Sequence, residues 1–387
     1  MTKNVVFCAD GTWNGPEEAT GRSVVDGPDD AGELPASKVT NVVKLFANLS
    51  GQVTPETLAL QKEQEKALVD EQRATRQIGK YIHGVGDSDN PIRRILGGAF
   101  GMGVIARIVR GYTFISRNYV PGDAIHIAGF SRGAYTARAL AGMIASVGLL
   151  NPAKYDPADK QHAYRLGIAA WEQWRRSALG KADKLTDLAN ALLNLVVGAV
   201  ADRIPDGGLL PVDRIESVGV WDTVGSMGIP VYAGRAHLDV FRFADTKLSD
   251  KVRHGFHAMA IDEQREDFPV TKWDDRTDIS QVWFVGAHAD VGGGYIAAES
   301  GLSNIALSWM MKKLSDAGVR ITTPLHYPPT PQVPSQAIHT PWEEPPFNLR
   351  GRADRDVRQA DVFHASVARR WDGDHAYRLP GFPALTA

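Results

Sequence analysis

Cysteine is nearly missing from this chain. Cys8 stands alone among 387 residues, which excludes an intrachain disulfide and any cysteine-cluster metal site. An excess of charge is missing too: Lys and Arg total 43 against 45 Asp and Glu, a formal charge of −2. Nothing therefore draws the whole chain to nucleic acid or to an anionic membrane, and no nucleic-acid partner is expected. The most apolar helical stretch, 188–200, carries Asn190 and Asn194 and falls short of the ~20 residues that a bilayer span needs. It reads as a buried or lid helix. The apolar run Asn4–Ala9 is too short for a signal-peptide core and leads straight into Asp10-Gly11. The expectation is a soluble protein, cytoplasmic as synthesised and without a cleavable signal, with signal-independent export left open. No internal repeat is visible. The glycine-rich stretch 97–103 lacks the Gly-Lys-Ser/Thr ending of a phosphate-binding loop and reads as close helix packing.

What is present is an alternation of strand-like and helix-like runs. Asn4–Ala9 is a β-branched strand candidate closed by Asp10-Gly11; 16–35 reads as an exposed loop, and 39–46 opens a helix. Residues 57–78 are charged and read as helix-prone. Ala124-Ile125-His126-Ile127-Ala128 is a buried strand candidate, and strand-like runs return at 217–221 and 281–285. Residues 151–210, with Trp171 and Trp174, read as an inserted helical cap; beyond about 323 the chain is Pro-rich and reads as wrapping the surface. The expected fold is α/β, a mostly parallel sheet with helices on both faces. Residues 1–150 and 211–322 would form its core, with the cap at 151–210 and the wrapping segment at 323–387.

Gly129-Phe130-Ser131-Arg132-Gly133 matches Gly-x-Ser-x-Gly, a pattern short enough to arise by chance. Its context gives it weight: a strand precedes it and a helix-forming run, Ala134 to Ala141, follows. Strand, sharp turn and helix form a nucleophile elbow, in which a strained serine projects its hydroxyl above the sheet edge. A serine hydroxyl needs a base, and the base an orienting carboxylate. Among eleven histidines, His288 sits in a loop of small residues just past the 281–285 strand, whereas His126 lies within a strand and reads as a core residue. Asp222 ends the 217–221 strand, giving the chain order Ser131, Asp222, His288 expected of an α/β-hydrolase. The interval from Asp222 to His288 suggests that the acid follows an earlier strand than usual. Asp290 competes for the acid's place but is too close in sequence to His288 to turn back onto it. It suits bonding backbone N–H groups of the glycine turn. The oxyanion would meet the N–H of Arg132 and one from Gly11 or Thr12, with Asp10 holding that turn.

Together the blocks Phe7-Cys8-Ala9-Asp10-Gly11-Thr12-Trp13-Asn14, Thr40-Asn41-Val42, Gly84-Val85-Gly86, Gly129 to Ala134, Val220 to Gly225 and Gly286 to Tyr295 resemble the catalytic domain of type VI secretion phospholipase effectors, a branch of a broad α/β-hydrolase family. The segments His257 to Glu263 and His364 to Arg370 share the resemblance, which runs over about residues 3–380. It implies a Ser-Asp-His hydrolase of carboxylic esters, in effector members the acyl esters of phospholipids. Ser131 would be nucleophile, Asp222 acid and His288 base, and no cofactor is implied. The partners expected are a lipid or small ester, with transient contact at a membrane surface. An immunity or secretion partner is left unspecified. The 16–35 loop is longer than the family pattern leads one to expect, and no large membrane-binding module is appended.

Competing classes are a small-ester hydrolase without phospholipid activity, a phosphoryl-transfer enzyme using Asp10, and an inactive binding module. The second is weakened because Thr12 stands where an aspartate-nucleophile phosphatase needs another aspartate. His254, His257 and Asp262 invite a metal reading, but packed or capping roles suit them better, and no metal is expected.

Overall fold

The computed structural model describes residues 2–11, 38–57, 63–84, 98–178, 201–224, 247–345, 347–380 and 382. Eleven strands occur among them: β1 (Asn4–Ala9), β2 (Gln52–Val53), β3 (Glu63–Val69), β4 (Thr75–Ile82), β5 (Ala124–Phe130), β6 (Leu149–Leu150), β7 (Leu209–Leu210), β8 (Ile215–Trp221), β9 (Val252–Ala260), β10 (Ile279–Phe284) and β11 (Val362–Phe363). The α-helices among them are α1 (Asn41–Asn48), α2 (Gly98–Asn118), α3 (Arg132–Val147), α4 (Lys160–Ala178), α5 (His288–Gly292), α6 (Gly301–Asp316) and α7 (Ala365–Gly373).

Nine of these strands form one sheet in the order β11-β10-β9-β8-β5-β1-β4-β3-β2. From β11 to β4 every pairing is parallel, and β3 and β2 add an antiparallel edge. Parallel strands need both faces covered, and β1 shows how its sequence meets that need. Val5, Phe7 and Ala9 join the apolar layer beneath α2, α3 and α4, while the alternate residues Val6 and Cys8 join the layer beneath α1 and α6. The period-two side-chain geometry of a strand thus divides one six-residue run between two cores. A third apolar cluster binds the C-terminal segment to the sheet through Met259, Trp283, Val367 and Leu379. The architecture is α/β with a mostly parallel sheet, as the alternating runs predict.

One expectation needs correction. Within 57–78 the described residues form no α-helix: Glu63–Val69 and Thr75–Ile82 are β3 and β4, which pair as a hairpin. The charges that suggested a helix alternate along the strand. Lys66 is buried and donates to the carbonyls of Ala47 and Leu49 at the end of α1, at 2.7 and 2.8 Å, while Glu65 pairs with Lys80 and Arg117. Tertiary partners override helix propensity here. His254 and His257 lie on strand β9. His257 is buried, and its Nε2 accepts the Thr223 N–H at 3.1 Å, a packing role. Among the described residues, no group of His, Cys, Asp or Glu is arranged to hold a metal ion.

β6 and β7, which pair antiparallel, bracket the span that contains α4. Within that span α4 packs against α2 and α3. The 188–200 run, the 16–35 loop and most of the 97–103 stretch's side chains lie outside the described residues. Among the described residues, no helix is long and apolar enough to cross a membrane.

Candidate active site

The turn after β5 is built by two close approaches. A Cβ on Gly133 would stand 2.1 Å from the Ala9 carbonyl oxygen, and one on Gly129 would stand 2.3 Å from the Gly133 oxygen. Only glycine lets strand, turn and helix meet this tightly. Between them Ser131 adopts φ 57° and ψ −122°, a conformation outside the regions open to most L-residues, and α3 starts at the next residue. Its N–H donates to the Trp221 carbonyl at 3.1 Å, extending the β5–β8 ladder one residue past the strand.

That ladder fixes the neighbour. Phe130 pairs with Trp221, so Ser131 and Asp222 follow adjacent positions on adjacent strands. Asp222 also has positive φ, 34°, and is wholly buried. Its Oδ1 accepts the Ala260 N–H at 2.9 Å, and its Oδ2 lies 2.6 Å from His288 Nδ1 and accepts from Arg355 Nη2 at 2.8 Å. Burial pushes the Asp222 carboxyl up, but Arg355 and the imidazole more than offset this and hold it below the usual carboxylate range. An ionised carboxylate can only accept, so the imidazole proton sits on Nδ1 and the lone pair on Nε2.

His288 opens α5, just past β10. Its backbone N–H donates to Glu263 Oε2 at 3.1 Å, and Glu263 is gripped by Arg265 at 2.7 and 2.8 Å. Phe130, the residue before Ser131, stacks on the imidazole at 4.6 Å between centroids, and Phe268 meets it edge-on at 5.3 Å. Burial holds the imidazole below the ordinary histidine range despite the Asp222 bond, so it is neutral at neutral pH. Nε2 is buried and has no hydrogen-bond partner among the described residues, Ser131 included. A neutral, oriented imidazole with an uncommitted Nε2, packed against the residue that precedes a strained serine, has the attributes of a general base.

The other expected residues fall out unevenly. Arg132 is the first residue of α3, so its N–H lies at the helix N-terminus beside Ser131. The Gly11 N–H donates to Asp10 Oδ1 at 2.6 Å in this conformation. Thr12 lies outside the described residues. Asp10 is wholly buried and accepts from the hydroxyls of Tyr81 and Thr40 at 2.7 and 3.0 Å. Asp290 does not approach the His288 ring: its carboxylate accepts the Ala287 N–H at 3.0 Å and bonds His339 Nδ1 at 2.6 Å. His126 is a core residue, 2.8 Å from the Ser217 hydroxyl.

Sequence reasoning missed Glu263, Arg265 and Arg355. Glu263 lies in a segment that carried the family resemblance, a usable signal. Arg355 lies in an alternation of Arg and Asp, residues 350–358, that reads as solvated surface and gave none.

Residues 3–313 match the family described as "T6SS, Phospholipase effector Tle1-like, catalytic domain". A Saccharomyces cerevisiae protein, YEL023C, is 25% identical over 280 residues, covering 69% of this chain and 32% of its own length. A crystal structure of a Pseudomonas aeruginosa protein aligns with TM-score 0.42 and 18% identity over 84% of this chain and 47% of that one. A structure of the Tle1 effector bound to the VgrG spike of the type 6 secretion system aligns with TM-score 0.38 and 18% identity, over 78% of this chain and 53% of that one. The chain thus spans about a third of its curated relative and about half of each solved structure.

Proposed function

Because this chain belongs to the Tle1-like phospholipase effector catalytic-domain family of type VI secretion, we propose that it is a serine carboxylester hydrolase that releases fatty acid from phospholipid. The observation that carries the reading is the His288–Asp222 pair, 2.6 Å apart, with Nε2 free of hydrogen bonds among the described residues and Phe130, the neighbour of Ser131, against the imidazole. In this reading His288 Nε2 takes the Ser131 proton as Oγ attacks the acyl carbonyl. Asp222 stabilises the imidazolium, and the imidazolium then protonates the leaving alcohol. Water, deprotonated by the same nitrogen, attacks the acyl-enzyme and frees the acid. The Arg132 N–H supplies one oxyanion donor. For Gly11 to supply the second, its N–H has to leave Asp10.

The phosphoryl-transfer reading has little support, since both Asp10 oxygens are buried and bonded. The cap at 151–210 is assigned to the acyl chain on composition, which is apolar at Leu192, Leu193 and Leu195. Synthesis in the cytoplasm, signal-independent export and a secretion-machine partner belong to the same proposal. The test is fatty-acid release from phosphatidylethanolamine–phosphatidylglycerol vesicles. Release by the wild type and its loss in Ser131→Ala support the reading. Turnover of p-nitrophenyl esters without release from vesicles leaves a small-ester hydrolase.

A further inference from the structure

We propose that Arg355 is a positioning residue for this hydrolysis, holding Asp222 in the orientation that serves His288 and tempering the negative charge that the imidazole meets. The inference rests on the reading of Ser131, Asp222 and His288 as one working trio. Arg355 lies beyond the matched span 3–313, on the segment that packs over β9 and β10, and its side chain is only 4% exposed.

The geometry commits this guanidinium to one task. Nη2 bonds Asp222 Oδ2, the oxygen that also holds the imidazole, while Nε and Nη1 have no hydrogen-bond partner among the described residues. Arginines that fasten segments in this molecule behave differently. Arg276 bonds the carbonyls of Leu248, Ser249 and Val252, and Arg370 those of Pro334 and Gln336. Arg355 has no such carbonyl. Burying a cation is costly, and an apolar side chain would fasten the segment at lower cost. With Ala260 N–H on Oδ1 and Arg355 on Oδ2, both carboxylate oxygens are pinned, one by the sheet and one by the C-terminal segment.

The charge has a second effect. On its ring side His288 meets Asp222, whose Oδ2 Arg355 also holds; Glu263 with Arg265 lies behind its N–H; Asp290, on its own helix, bonds His339 of the later segment; and His257 on β9 lies near Asp222. A cation on the shared oxygen weakens the pull of Asp222 on an imidazolium. Removing it makes the protonated imidazole more stable, so His288 titrates at higher pH and the acid limb of activity moves up.

The test compares Arg355→Gln and Arg355→Lys in the full chain. One readout is kcat and KM for p-nitrophenyl butyrate against pH, and the other is titration of the His288 imidazole by NMR. We expect kcat to fall by up to about 10²-fold with KM unchanged. The acid limb and the imidazole titration should both move up by about one pH unit in the Gln variant, with part of each restored by Lys. An unmoved His288 titration in a folded Gln variant overturns the proposal, as does a raised KM at unchanged kcat, which would make Arg355 a substrate contact. If the wild type hydrolyses no ester, the hydrolase reading fails, while the NMR titration still decides whether Arg355 governs His288.

Discussion

Two aspartates at one sheet edge are equally buried and are driven in opposite directions. Asp10, past β1, and Asp222, past β8, both have no exposed surface. Burial pushes Asp10 up to about 6, because its partners are mainly uncharged: two hydroxyls and one N–H. Asp222 is held below the usual range, because Arg355 and His288 share its Oδ2. Desolvation raises both carboxyls, so the partners decide the outcome. One carboxyl sits among uncharged donors at a turn and the other keeps its negative charge beside a guanidinium and an imidazole.

Substitution should break this comparison unequally. Asp222→Asn keeps the shape and removes the charge, and the rate of p-nitrophenyl ester hydrolysis should fall by roughly 10³–10⁴-fold, about 4–5 kcal/mol. A fall of less than tenfold would mean that Asp222 is structural. Gly133→Ala strikes the junction between the end of β1, where Asp10 lies, and the elbow, since its Cβ would press on the Ala9 carbonyl at 2.1 Å. A loss of about 3 kcal/mol or more in urea unfolding is expected.

Asp10→Asn should act on stability rather than on rate. A carboxyl whose folded pKa is raised binds its proton more tightly in the native state, so stability falls as pH rises from about 4 to 6 and the deficit persists above. The Asn variant should remove that dependence and gain about 2–3 kcal/mol at pH 8 relative to the wild type. A loss at pH 8 would show that the carboxylate itself holds the turn.

The acid range sharpens the role of burial. His126 and His257 are both pushed down to about 3, by burial first. Their native states bind fewer protons than the unfolded chain below pH 6.5. Stability should therefore fall with acidification between about 6.5 and 3, by about 1.4 kcal/mol per pH unit for each. His126→Gln should flatten the slope of unfolding free energy against pH by one histidine's share, and an unchanged slope would refute the assignment.

How much of this was legible in the sequence depended on how local the physics was. The elbow around Ser131 announces itself because strand, glycines and helix are contiguous, and β1, β5, β8 and β10 are apolar runs bounded by turns. The β3–β4 hairpin was hidden because its charges find partners on α1 and α2, which no window of sequence displays. Strand β9 was hidden by its histidines, which find partners or packing only after the sheet forms. Gly11 was assigned a free N–H on position alone, whereas the side chain preceding it takes that donor. Arg355 reaches Asp222 across 133 residues, a separation that conceals its role among surface arginines.

The most direct test of the serine mechanism is labelling with an alkyl fluorophosphonate, read by intact mass and peptide mapping. One adduct on the peptide containing Ser131 is predicted, formed by the wild type and lost in His288→Ala. Ester hydrolysis that persists in Ser131→Ala, in protein that takes up no label, would contradict the account.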